Sequence, residues 1–195
     1  LTGFKNICNM PNIWDENHEN DFVFGYEESI GYVVGDNIRD KDAVGTSMII
    51  AELAGYLKKR NLKLKDYLEE IYKKYGYYEE YLDSVYFEGK DGKSIMKKIM
   101  DSFRQIETFE KIGNLIKKED FINSSENSQD LLKFYFDEQT WFALRPSGTE
   151  PKLKIYAYAV SKNERDAKER IKLMKEEIMD KIQSSRWKND IILWL

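Results

Sequence analysis

The sequence predicts an α/β segment followed by an α+β unit in which helices flank an antiparallel sheet in the order β-α-β-β-β-α. Three features predict it. The first third of the chain has one strand-like run and then two stretches with helical apolar spacing. From residue 78 the apolar period alternates, turns helical, and alternates again. Three strand-like runs joined by short turns then precede one long helical pattern.

Taken in order, "DFVFGYE", Asp21 to Glu27, leads aromatic and β-branched residues into a glycine turn and reads as a strand. From Asp42 to Arg60, Val44, Ser47, Met48, Ala51, Ala54, Gly55 and Leu57 recur at helical spacing and end in Lys58, Lys59 and Arg60, so a mostly buried helix is expected. A second helix runs from Lys65 to about Tyr75 and stops at Gly76. "YLDSVYFEG" alternates as a strand, "GKSIMKKIMDSF" returns to a helical period, and Lys117 to Asp130 reads as a polar stretch. "LLKFYFD", "TWFALRP" and "KLKIYAYAV" follow as strands, with a turn at Asp137 to Gln139 favouring a hairpin. Ser161 with Glu164 fits a capping box opening a last helix, whose stripe is Ala167, Ile171, Met174, Ile178 and Ile182. The first domain would span 1–77 and the second 78–195, and the first holds too little sheet to cover its own helices. The apolar tail "IILWL" is expected to pack rather than float free.

With 195 residues, 42% of them hydrophobic, the chain can build a sizeable core. Its 31 Lys and Arg against 35 Asp and Glu leave a net charge of −4, which argues against a nucleic-acid or membrane partner and requires any anion to be caught locally. One cysteine, Cys8, excludes an internal disulfide and suits a cytoplasmic location. No apolar run reaches the roughly 18 residues of a membrane span. Because the chain starts at Leu1 without a methionine, the expectation is a piece of a longer protein, engineered or proteolytic.

Three stretches gather chemically useful groups. In "RPSGTEP", Arg145 offers a bidentate fork, Ser147 and Thr149 offer hydroxyls, and Gly148 lets the backbone approach an anion; Lys152 and Lys154 follow on one strand face. An ordinary strand-to-strand turn is the competing reading. "GYEESIGY" places Glu27, Glu28 and Ser29 just past a strand end, where carboxylates can accept bonds from vicinal hydroxyls, or form only a solvated acidic turn. "IRDKDAV" puts Lys41 at a helix opening with Asp40 or Asp42 as cap, a position that suits proton transfer but equally an exposed lysine. His18 and Cys8 have no partner at useful spacing, and no metal loop stands out.

In this order, "TGFKNI", "FGYEESIGY", "IRDKDAV" and "RPSGTEPKLKIY" resemble the α-D-phosphohexomutases, the phosphoglucomutase/phosphomannomutase family. The resemblance implies the C-terminal part of that family's α/β third domain followed by its fourth domain. It implies a parent isomerase that moves a phosphoryl group between hexose 1-phosphate and hexose 6-phosphate, on glucose and perhaps mannose. The implied donor is a phosphoserine, with a glucose 1,6-bisphosphate-type intermediate and Mg2+ held elsewhere in the parent. By the same resemblance, Arg145, Ser147, Gly148, Thr149 and Lys154 bind the unreacting phosphate, and Glu27 and Ser29 bind sugar hydroxyls. Thr2 and Gly3 belong to a sugar-orienting loop, and Lys41 to proton transfer or ligand contact. The chain contains neither Thr-Ala-Ser-His nor Asp-Gly-Asp, the family's nucleophile and metal motifs. The partners implied are therefore a phosphosugar and the missing N-terminal domains, and the chain alone is expected to be inactive. A phosphopentomutase of the same family and a non-catalytic sugar-phosphate-binding module are the alternatives.

Overall fold

The computed structural model describes residues 3–17, 20–27, 30–87, 89–123 and 128–187. Thr2, His18, Glu28, Ser29 and the tail "IILWL" lie outside them. The chain divides into two compact units, Leu1–Glu70 and Ile71–Leu195.

In the first unit, helix α1 (Phe4–Asn17) precedes a hairpin of β1 (Phe24–Glu27) and β2 (Gly31–Val34), paired antiparallel with Glu27 opposite Gly31. The hairpin turns through Ile30 at φ +58°, a left-handed conformation uncommon for a β-branched residue. Phe4 and Cys8 of α1 and Val33 of β2 form a small buried cluster, with Ile7 and Phe22 packed on it. Cys8 is thus a packed thiol, and burial, followed by the nearby Asp40 charge, pushes it up. Helix α2 (Ala43–Lys59) is capped by Asp42, whose carboxylate accepts the Gly45 N–H at 2.9 Å. Against the expectation of a mostly buried helix, Leu57 is the only buried residue of α2, while Val44 and Met48 are 74% and 69% exposed. Its spacing is helical, but the described sheet of this unit has only two strands and cannot cover its apolar surface. Helix α3 (Leu64–Tyr75) ends where Gly76, at φ +102°, donates its N–H to the Tyr72 carbonyl.

The second unit is a five-stranded, wholly antiparallel sheet in the order β3-β7-β6-β5-β4, with helices α4 (Gly92–Gln105) and α5 (Glu164–Trp187) packed on it. Its strands are β3 (Tyr77–Tyr86), β4 (Lys117–Asp120), β5 (Leu132–Tyr135), β6 (Trp141–Pro146) and β7 (Lys152–Ser161). Leu153, Ile155, Ala157 and Ala159 alternate inward along β7 and meet Phe134, Phe142 and Leu144, with Met96, Ile99, Met100 and Phe103 of α4 and Ile171, Met174, Ile178 and Ile182 of α5; Ala167, the first residue of the predicted α5 stripe, is buried as well. The opposite face of the sheet carries a cross-strand ladder. Lys133 sits 3.9 Å from the centre of the Trp141 ring, Trp141 stacks on Tyr158 at 5.6 Å, and Tyr158 meets Tyr78 at 5.9 Å.

β4 adds an edge strand to the four expected, inside the stretch read as polar. Its sequence, KKED, has no apolar alternation, and polar contacts hold it instead. The Lys118 ammonium donates to the carbonyls of Arg104 and Ile106 at 2.7 and 3.1 Å, and Asp120 accepts from Arg104 at 2.8 Å. Tyr135 donates its hydroxyl to Glu119 at 2.6 Å; burial, then this bond, pushes the phenol up to about 12. The cap of α5 also differs from the capping box expected at Ser161 and Glu164. β7 extends through Ser161, which pairs with Tyr77, so the helix opens later. Asn163 instead accepts the Asp166 N–H at 2.9 Å and donates its amide to the Asp166 carboxylate at 2.7 Å.

The segment joining α4 to β4 buries Phe109 in the core and is also held by one buried carboxylate. Glu177 of α5, 3% exposed, accepts the consecutive backbone N–H groups of Glu110, Lys111 and Ile112 at 2.6, 2.8 and 3.1 Å, with Lys181 at 3.5 Å. Three aligned donors around one carboxylate form an anion nest filled by the protein itself. Glu177→Gln removes the charge from these bonds and is expected to destabilise the chain by about 1.5 to 3 kcal/mol in urea unfolding. An unchanged midpoint would show that the nest contributes nothing.

Candidate functional site

The segment Ser147–Pro151 connects β6 to β7 and encloses a cavity of ≈ 320 Å³ lined by Arg145, Pro146, Ser147, Gly148, Thr149, Glu150, Lys152 and Lys154. The loop closes on itself: the Ser147 N–H donates to the Lys152 carbonyl at 2.9 Å and the Lys152 N–H to the Glu150 carbonyl at 2.8 Å. The Ser147 and Thr149 hydroxyls lie 3.4 Å apart, and Ser147 Oγ accepts the Glu150 N–H at 3.3 Å. At its base the Pro151 carbonyl accepts the Phe87 N–H at 2.8 Å. Gly92, the first residue of α4, fits there because it lacks a Cβ, which would stand 2.3 Å from the Phe87 carbonyl oxygen and 3.0 Å from Pro151 Cβ.

Register determines the charge of this cavity. Arg145 lies directly opposite Lys154, so two cations share one sheet face at neighbouring positions. Neither has an ion-pair partner among the described residues. Lys152 shares that face, as the alternation predicts, but it is already engaged. Its ammonium lies 2.5 Å from Glu150 Oε2 and 5.6 Å from the Tyr86 ring centre. The Glu150 bond holds Lys152 above the usual lysine range. Reading the sequence alone missed this pairing, although Glu150 and Lys152 stand two residues apart in it.

In the first unit the structure brings Glu27 and Lys41 together: Lys41 Nζ is 2.5 Å from Glu27 Oε1, with the carboxylate side chain 14% exposed and the lysine 41%. The Asp42 N–H donates to the Tyr32 carbonyl at 2.8 Å, tying the start of α2 to β2 and delivering Lys41 to the strand end. Asp40 accepts the Lys41 backbone N–H at 2.7 Å, and Asp42 is the cap. Phe4 lies beneath, its ring centre 5.8 Å from Lys41 Nζ. Gly3 precedes it at φ +113°, its carbonyl accepting the Asn6 N–H at 3.0 Å as α1 begins. Two members of this cluster went unrecognised in the sequence. One is Phe4; the other is Gly31, where a Cβ would stand 2.7 Å from Lys41 Cε, 2.9 Å from Glu27 Cγ and 3.0 Å from Phe4 Cδ2. The only available signal was the glycine itself inside "GYEESIGY".

Comparison with known proteins gives one consistent answer. Residues 1–75 match the family model of phosphoglucomutase/phosphomannomutase, alpha/beta/alpha domain III, and residues 100–181 match that of the phosphoglucomutase/phosphomannomutase C-terminal domain. A phosphoglucomutase of Staphylococcus epidermidis is 39% identical over 170 residues, covering 80% of this chain and 31% of that protein. One of Staphylococcus aureus is 36% identical over 188 residues, covering 89% and 34%. The chain thus spans about a third of the length of these curated relatives. Among solved structures, the open form of the Paramecium phosphoglucomutase pp63/parafusin matches 93% of this chain and 33% of its own at a TM-score of 0.65 and 17% identity, a likeness of fold.

Gly31 provides a direct test of the Glu27–Lys41 arrangement. Ala is compatible with the strand backbone there, and the atoms it would meet are side chains that can move. A Gly31→Ala chain is expected to keep its stability within about 1 kcal/mol while its crystal structure shows Lys41 and Glu27 separated beyond about 4 Å. An intact pair in that structure would remove Gly31 from the site.

Proposed function

Since the chain belongs to the phosphoglucomutase/phosphomannomutase family, we propose that it is the substrate-gripping part of a phosphosugar mutase. The parent would interconvert hexose 1-phosphate and hexose 6-phosphate, with glucose as the first candidate sugar and mannose as the second, by way of an enzyme phosphoserine and a bisphosphorylated sugar. The observation that carries this reading is the pairing of Arg145 with Lys154 at the mouth of a loop whose Ser147 and Thr149 hydroxyls line the same cavity. A phosphate monoester supplies two charges and acceptor oxygens to face Arg145 and Lys154, and Arg145 can take two of those oxygens in its fork.

The residues divide the work of binding. Arg145, Lys154, Ser147, Thr149 and the backbone at Gly148 hold the phosphate that is not reacting. Glu27 accepts hydrogen bonds from sugar hydroxyls, and Lys41, its partner, contacts the ligand or carries a proton. Ser29, Thr2 and Gly3 join the sugar side by resemblance. A site that reads only charge and a pair of hydroxyls accepts a bisphosphorylated sugar in either orientation, so one nucleophile can serve both ends. Among the described residues no cluster of three or more His, Cys, Asp or Glu side chains could hold a metal ion. The resemblance assigns magnesium to another part of the parent. No described helix is long and apolar enough to cross a membrane.

Calorimetric titration of this chain with glucose 1-phosphate is expected to show weak binding, and Arg145→Ala to abolish most of it, a loss of about 1.5 to 3 kcal/mol. Equal affinity in the variant would defeat the assignment of the phosphate loop. The chain alone is expected to turn over no glucose 1-phosphate, because it carries no Thr-Ala-Ser-His nucleophile motif. Measurable turnover by the purified chain would contradict that. Comparing glucose, mannose and ribose 1-phosphates as substrates of the full-length parent fixes the sugar.

A further inference from the structure

The cavity of the phosphate loop contains a carboxylate, which is out of place where an anion is to bind. Glu150 lines the same ≈ 320 Å³ space as Arg145 and Lys154. Its Oε2 lies 2.5 Å from Lys152 Nζ, and the two members of the pair are unequally held. The Lys152 side chain is 17% exposed and its ammonium lies 5.6 Å from the Tyr86 ring centre, whereas the Glu150 side chain is 52% exposed and faces water. Tyr86 sits opposite Lys152 in the β3–β7 pairing, so the lysine is held against the sheet by its own cross-strand neighbour. Glu150 has the freedom to leave; Lys152 does not.

We propose that Glu150 is an internal counter-ion of the phosphate loop, occupying Lys152 while the site is empty and giving way to an arriving phosphate. On binding, Glu150 swings to solvent and Lys152 stays beside the cavity as a third cation with Arg145 and Lys154. The exchange replaces one carboxylate on Lys152 by a phosphate oxygen, so the number of ion pairs is conserved and the grip on the ligand is tempered. That suits a loop that must release a phosphate as readily as it takes one. The proposal rests on the reading of the loop as a phosphate site. It adds that two residues outside that reading, Glu150 and Lys152, set its strength.

The test uses the whole 195-residue chain, titrated with inorganic phosphate and with glucose 1-phosphate in the calorimeter at fixed ionic strength. Glu150→Gln keeps the shape of the side chain and removes its charge. It is expected to raise phosphate affinity by about three- to ten-fold, the scale of one charge several ångströms away in a solvated site. Lys152→Gln is expected to lower affinity, and in the Glu150→Gln/Lys152→Gln double variant the gain from Glu150→Gln should vanish. Unchanged or weaker binding by Glu150→Gln overturns the proposal. So does a gain that persists undiminished in the double variant, because Glu150 would then act as a general negative charge and not through Lys152. Arg145→Ala separates the two layers: if it leaves phosphate affinity untouched, the loop itself is misread, whereas if it abolishes binding while Glu150→Gln changes nothing, only the counter-ion is wrong. Thermal melts of each variant confirm that the fold persists.

Discussion

The charge of the Ser147–Pro151 loop depends on the register between β6 and β7. That register sets Arg145 opposite Lys154, two like charges whose direct juxtaposition opposes pairing. The other face of the same strands outweighs this repulsion. Leu144 lies opposite Ile155 and Phe142 opposite Ala157, all of them buried under α4 and α5. Slipping the pairing by one residue would turn those side chains to water and the lysines into the core, so the hydrophobic face fixes the register far more firmly than two cations can disturb it. The core therefore holds apart from solvent nothing that binds, yet it determines where the binding charges stand. An anion placed between Arg145 and Lys154 would relieve the repulsion that their register imposes.

The two units hold their functional groups by different means. In the second, a continuous core of aromatic and aliphatic side chains carries the sheet, and the long segment after α4 is fastened both by Phe109 in that core and by the Glu177 carboxylate. In the first, the buried cluster is small, and the Glu27–Lys41 pair is placed by backbone devices: the Asp42 cap, its N–H on the Tyr32 carbonyl, and the missing side chain of Gly31. The apolar surface that α2 shows to solvent through Val44, Met48 and Ile50 is the kind of face that a helix buries against a sheet. The family description of that segment, alpha/beta/alpha, names the architecture that would cover it.

Much of the second unit was legible in the sequence because its burial is periodic. The α5 stripe and the alternation of β7 each put apolar residues on one face, and both are buried as the spacing predicts. What escaped was held together by other forces. β4 is four charged residues whose partners, among them Arg104 and Tyr135, come from elsewhere in the chain. α1 contains Pro11, an interior breaker on any propensity argument, and it was not read as a helix. Ser161 has the chemistry of a cap, but strand pairing takes it first and Asn163 inherits the role. The same division runs through the sites. "RPSGTEP" announces its cations and hydroxyls, and only the fold says that Lys152 is occupied and that Arg145 and Lys154 have no ion-pair partner among the described residues.

The two candidate sites share a motif that neither stretch of sequence displays. Each contains a carboxylate and a lysine 2.5 Å apart, Glu27 with Lys41 and Glu150 with Lys152, and the burial of the pair is reversed between them. In the first, the carboxylate is the sheltered member and the lysine the exposed one; in the second, the lysine is sheltered and the carboxylate exposed. In the second pair the exposed carboxylate has water to turn to, whereas the sheltered lysine is held against the Tyr86 ring. A sheltered carboxylate suits a ligand that offers hydroxyl donors, and a sheltered lysine suits one that offers anionic oxygens. A phosphorylated sugar offers both kinds of group, and each of the two ion pairs, taken within its own unit, shelters the member that matches one of them.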